Sequence, residues 1–173
     1  MRLFHVSEEP DIREFLPRLP KRADLDPGTG LVWAMEEFYL PNFLTPRDCP
    51  RVAYHVGERT TEADRRAFFS SDTMRYAVVI ENKWVPAMLS AVLYLYEFDP
   101  DDFVLQDAAA GYYVSKNRQT PIAKYQVKDL FGQLAARNVE IRIVDRLWDI
   151  ADRVKGSTLD WSLCRMAFAQ PRP

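Results

Sequence analysis

Two prolines, Pro46 and Pro50, bracket Arg47-Asp48-Cys49 and prevent any regular element from running through residues 45–51. The stretch Thr45-Pro46-Arg47-Asp48-Cys49-Pro50-Arg51 is therefore a stiff loop, entered from a helix and left by a strand. It gathers two guanidinium groups, a carboxylate and a thiol within one turn. A preset backbone loses less entropy on binding, so such a loop suits an anion site built on Arg47 and Arg51. The same residues equally suit an internal Arg–Asp clamp tying the loop to the core.

On either side of this loop the chain alternates short apolar runs with turn residues. Leu3, His5 and Ser7 share one face of a first strand, Phe4 and Val6 the other. Glu8-Glu9-Pro10 opens a short helix through Phe15, and a surface loop follows from Leu19 to Gly30. A strand over Leu31–Met35 leads into a helix over Glu36–Leu44. Arg51–Val56 is another strand, and Arg75–Ile80 and Ala91–Phe98 are apolar, β-branched and aromatic, the pattern of central strands. Thr61 caps a helix that turns Ala67, Phe68 and Phe69 inward, with Asp64 placed to complete a capping box. A tight helix or turn spans Glu81–Leu89.

After the turn at Asp99-Pro100-Asp101-Asp102, short strands are predicted at Phe103–Leu105, Gly111–Ser115 and Pro121–Val127. Asp129–Arg137 and Asp145–Lys155 are amphipathic helices flanking an alternating strand at Val139–Ile143. Ser157 and Asp160 are spaced to open a last helix carrying Trp161, Leu163 and Met166. Many strands with irregularly placed short helices indicate one α+β domain over residues 1–173.

At 173 residues the chain is long enough for a core without disulfides or metal, and a net charge of −2 argues against general nucleic-acid binding. Cys49 and Cys164 form no metal-ligand pattern and are expected as reduced thiols in a cytoplasmic protein. No run approaches the roughly 20 apolar residues that a membrane helix needs.

Four phrases carry candidate chemistry. His5 shares a polar strand face with Ser7, where an imidazole can bond a ligand hydroxyl or phosphate, or serve as a satisfied structural group. In Gly111-Tyr112-Tyr113-Val114-Ser115 the glycine permits close approach to the backbone, and Tyr112 and Tyr113 present one ring to each face. Tyr113 and Ser115 can stack on a base and hold a ribose or phosphate, or simply complete the sheet. Glu140 and Arg142 form either a ligand-binding pair or an ordinary charge pair. The fourth phrase is the loop at 45–51.

Leu3-Phe4-His5-Val6-Ser7, the 45–51 loop and Ala110-Gly111-Tyr112-Tyr113-Val114-Ser115 together resemble an uncharacterised bacterial domain family, over nearly the whole chain. More distantly, Leu3-Phe4-His5-Val6-Ser7, Leu31-Val32-Trp33-Ala34 and Leu95–Phe103 resemble, in that order, segments of the ADP-ribosyltransferase-like fold. That resemblance implies a split, mostly antiparallel sheet with short flanking helices, a nucleotide-like ligand and NAD as cofactor. It implies His5 and Tyr113 as the catalytic pair, with Ser7, Arg47, Arg51, Tyr112 and Ser115 holding the cofactor. Tyrosine stands here where those enzymes carry a glutamate that orients the nicotinamide ribose. A non-catalytic module of the same fold, binding a protein or nucleic-acid partner, is the alternative expectation.

Overall fold

A computed structural model describes residues 1–20, 26–108 and 110–172. Part of the loop expected from Leu19 to Gly30 lies outside the described residues, at 21–25. The elements follow as β1 (Leu3–Ser7), β2 (Val32–Glu36), a 3-10 helix at Glu37–Phe43, β3 (Arg51–His55), α1 (Glu62–Phe68), β4 (Tyr76–Glu81), a 3-10 turn at Asn82–Trp84 and α2 (Val85–Ser90). Then come β5 (Leu93–Phe98), β6 (Val104–Asp107), β7 (Tyr112–Ser115), β8 (Ala123–Val127), α3 (Leu130–Ala136), β9 (Val139–Val144), α4 (Trp148–Lys155) and β10 (Asp160–Cys164). The fold class is α+β.

The chain divides into two compact units, Met1–Leu40 with Leu93–Val127, and Pro41–Val92 with Lys128–Pro173. The first holds a six-stranded sheet in the order β6-β7-β2-β1-β5-β8, antiparallel throughout. The second holds a four-stranded sheet, β10-β3-β4-β9, in which β4 and β9 are parallel.

In the first unit Leu3, Ala34, Tyr96, Phe98 and Phe103 form a core on one sheet face. The segment expected as a helix from Glu8 to Phe15 is instead an extended strap across that core. Its backbone N–H groups find partners other than helical carbonyls. Ile12 donates to the Tyr96 hydroxyl at 3.1 Å and Phe15 to the Gln119 carbonyl at 2.8 Å, while Arg18 and Leu31 exchange two backbone bonds. Phe15 then meets Tyr96 and Phe98 edge-on, with ring centroids 5.3 and 5.0 Å away. Burying that ring outweighs the small helix preference of a proline-flanked segment.

In the second unit Val52 and Tyr54 of β3, and Ala77 and Val79 of β4, pack with Ile150, Ala151 and Val154 of α4. Residues on the other face of β3 and β4 are buried as well, so both strands are buried at every position, including Arg51, His55 and Glu81 at their ends. Thr61 caps α1 by accepting from the Asp64 N–H at 3.2 Å. The Asp64 carboxylate does not complete a capping box; it accepts from Thr158 N and Oγ1 at 2.7 and 2.6 Å. Phe68 and Phe69 are buried as expected, but Ala67 is exposed and Arg65 takes the inward position.

The last expected helix is a strand. Asp160–Cys164 pairs with β3 along its whole length, so the open hydrogen-bonding edge of β3 recruits a segment whose local pattern favours a helix cap. Met166 lies beyond it in a 3-10 turn, Met166–Phe168.

Candidate functional site

The candidate site begins where two neighbouring strands of the first unit stop pairing. β1 pairs with β5 over all five residues but with β2 only at Leu3↔Glu36 and Phe4↔Met35. Just past the last rung, His5 Nδ1 lies 3.1 Å from the Trp33 carbonyl of β2. A carbonyl can only accept, so Nδ1 carries the proton and Nε2 keeps its lone pair. Burial, only partly offset by the bond to Trp33, pushes the imidazole pKa below its ordinary value, and the nearby Arg18 charge lowers it further. His5 is thus neutral at pH 7, held in one tautomer, with Phe15 tilted against its ring at 4.8 Å. No described residue bonds Nε2.

Register extends this point into a patch. His5 is opposite Tyr96 and Tyr96 opposite Lys124, while Ser7 is opposite Tyr94 and Tyr94 opposite Gln126. Directly opposed residues of antiparallel strands share a face, so two rows of polar and aromatic side chains run across β1, β5 and β8. The Tyr96 hydroxyl donates to the Glu9 carbonyl at 2.6 Å, pinning the strap over the sheet. Lys124 Nζ donates to the Pro10 carbonyl at 2.7 Å and lies 5.6 Å from the Tyr94 ring centroid. Gln126 donates to the Tyr94 hydroxyl at 3.1 Å.

The other expected site residues fall into distinct settings. Ser7 Oγ accepts the Glu9 N–H at 3.0 Å, which leaves its own hydroxyl hydrogen to donate. Tyr113 packs against the core face that holds Leu3 and Tyr96, and its hydroxyl bonds no described residue. Ser115 is buried and accepts from Gln119 Nε2 at 2.8 Å and Asn117 N at 3.1 Å. Tyr112 turns to the opposite face and meets Trp33 edge-on at 5.4 Å. The first unit therefore gathers His5, Ser7, Tyr113 and Ser115 on one face, without Tyr112.

Arg47 and Arg51 belong to the second unit, where Arg47 is exposed and Arg51 buried. Arg51 Nε donates to the Asn42 carbonyl and, at 3.2 Å, to Asn42 Oδ1; its NH1 donates to the Cys49 carbonyl at 3.1 Å. Asp48 pairs with Arg165 at 3.8 Å, so the clamp in this loop joins Arg51 to backbone carbonyls and not to Asp48. Glu140 and Arg142 are an internal pair: Glu140 accepts from Ser70 N and Oγ at 2.9 Å, and Arg142 donates to Glu140 and to the Phe68 carbonyl. Among the described residues no three His, Cys, Asp or Glu side chains gather as a metal site, and no helix is long and apolar enough to cross a membrane.

Sequence reading passed over Lys124 and Arg13. Both border a cavity of about 300 Å³ under the strap, together with Pro10, Tyr96 and Pro121. Lys124 lies at an alternating position of β8, a signal that periodicity offers; Arg13 lies in the segment read as helix, and nothing local marks it.

No curated protein and no solved structure matches the chain. One family model does, over residues 4–169, nearly the whole length. The chain belongs to that family, a family of unknown function (DUF6886).

Proposed function

We propose that the protein binds a nucleotide of the NAD or ADP-ribose type on the His5 face of its first unit and acts as an ADP-ribosyl- or phosphate-transferase-like enzyme. The observation that carries this reading is the state of His5: neutral, locked by the Trp33 carbonyl where the β1–β2 ladder ends, with Nε2 bonded to no described residue. Such a nitrogen accepts a hydrogen bond from a ribose hydroxyl, and it can take a proton from one that becomes a nucleophile. Ser7 supplies a hydroxyl donor on the same face, and Tyr113 supplies a ring and an unengaged phenol.

Isothermal titration of the full chain with NAD and with ADP-ribose tests the reading. Binding of either, weakened about tenfold or more in His5→Ala, is expected. No binding of either ligand, or equal affinity in His5→Ala, would overturn it.

A second reading has its own support. The rows through His5 and Ser7 consist of Tyr96, Lys124, Tyr94 and Gln126 and hold no carboxylate. A binding module without transfer chemistry fits that composition. Ligand binding with no release of nicotinamide from NAD, and no transfer to any acceptor, would favour it.

A further inference from the structure

The cavity beneath the strap has the makings of a site of its own. Tyr96 lines it, with its hydroxyl engaged by Glu9 O and Ile12 N, so that wall is fixed. Pro10 and Pro121 stiffen the rim, and Lys124 holds the Pro10 carbonyl at 2.7 Å. The strap is therefore anchored at several points before any ligand arrives, and little ordering entropy remains to be lost.

Two cations border this space. Lys124 is 44% exposed and spends part of its charge on Asp11 at 3.5 Å. Arg13 is exposed and bonds no described residue, so its whole fork of N–H donors is available. With Asp11 also on the rim, the three side chains sum to one net positive charge. The geometry points to a site for a small phosphate monoester, its anionic oxygens received by Arg13 and Lys124 and its organic part laid against Pro10 and Pro121. A phosphate dianion engages an arginine fork and a lysine point charge together, whereas a carboxylate is satisfied by the arginine alone. A volume of about 300 Å³ exceeds what inorganic phosphate fills and lies at the small end of ligand pockets. This site does not depend on the nucleotide reading of His5.

The test is titration of the full chain with phenyl phosphate, inorganic phosphate and benzoate, followed by isothermal calorimetry or amide chemical shifts. Phenyl phosphate is expected to bind most tightly, and Arg13→Gln to weaken it about tenfold or more while leaving Tm unchanged, since Arg13 is exposed and makes no hydrogen bond or ion pair with a described residue. Lys124→Gln should weaken it too, and His5→Ala should leave it intact. Absence of saturable binding at millimolar phenyl phosphate, unchanged affinity in Arg13→Gln, or equal affinity for benzoate would each overturn the proposal. Loss of phenyl phosphate binding in His5→Ala would overturn a separate site. Loss of NAD binding alone in that variant would bear on the nucleotide reading and not on this one.

Discussion

Arg51 reaches back to Asn42, donating from Nε both to its backbone carbonyl and to its Oδ1 at 3.2 Å. Asn42 lies in the last turn of the 3-10 helix Glu37–Phe43, where carbonyls lack partners within the helix. The arginine thus caps that helix from the start of β3 and, through the Cys49 carbonyl, tightens the proline-bracketed loop between them. Arg51→Ala is expected to lower stability by about 2–4 kcal/mol, because two buried carbonyls lose a charged donor. Asp48→Asn, which breaks only a half-exposed pair with Arg165, should change stability by less than about 1 kcal/mol. Chemical denaturation of both variants checks this; equal losses would show that Asp48 carries the clamp.

His5 imposes a pH dependence. Its folded pKa lies below the unfolded value, so the unfolded state binds more protons as pH falls through about 6.5, and stability drops with it. His55, buried and stacked on Tyr76 at 5.2 Å, is depressed by burial in the same sense. Tm should therefore be highest above neutral pH and fall toward pH 5. His5→Asn keeps a donor for the Trp33 carbonyl and should flatten the slope without removing it. Identical slopes for wild type and variant would refute the role of His5.

Gly111 has a φ of +63°, and a Cβ built there would lie 1.9 Å from Tyr39 Cδ2. The Tyr39 ring crosses the backbone at this point, and its hydroxyl donates to the Ala108 carbonyl at 3.0 Å. Gly111→Ala combines left-handed strain with displacement of that ring, for an expected loss of about 2–4 kcal/mol. Tyr39→Ala in the same background relieves that clash and should recover part of the lost stability. A melting point within a degree or two of wild type would contradict the close approach.

Both cysteines are free, but they differ in access: Cys49 is fully buried and Cys164 partly exposed. Burial pushes the Cys49 thiol up to about 12, so little thiolate forms at pH 8. A thiol reagent should modify Cys164 first in native protein and Cys49 only on unfolding. Two equally fast reactions in the native state would contradict the sealed position of Cys49, and no free thiol after denaturation would contradict reduction of the pair.

Much of this arrangement was legible before folding. Alternation placed Leu3, His5 and Ser7 on one face of β1, because side chains in a strand alternate whatever the neighbours are. Thr61 announced the start of α1, and Gly111 a close approach, since both signals act within a few residues. What the glycine accommodates is Tyr39, which no local pattern identifies.

Tertiary structure decided the rest wherever a distant partner outbid a local preference. Asp160–Cys164 became a strand because β3 offered an open ladder, and the strap at Glu8–Phe15 stayed extended because Tyr96, Gln119 and Phe98 supplied its bonds and packing. The partner of Arg51 was set by where the 3-10 helix ends, not by the carboxylate beside it in sequence. Arg13 and Lys124 meet at one cavity only because the strap lies over β8. Local sequence determines which faces are apolar and where elements can begin and stop. Long-range pairing determines which polar groups are consumed inside the fold and which, like His5 Nε2 and the Arg13 guanidinium, bond no described residue.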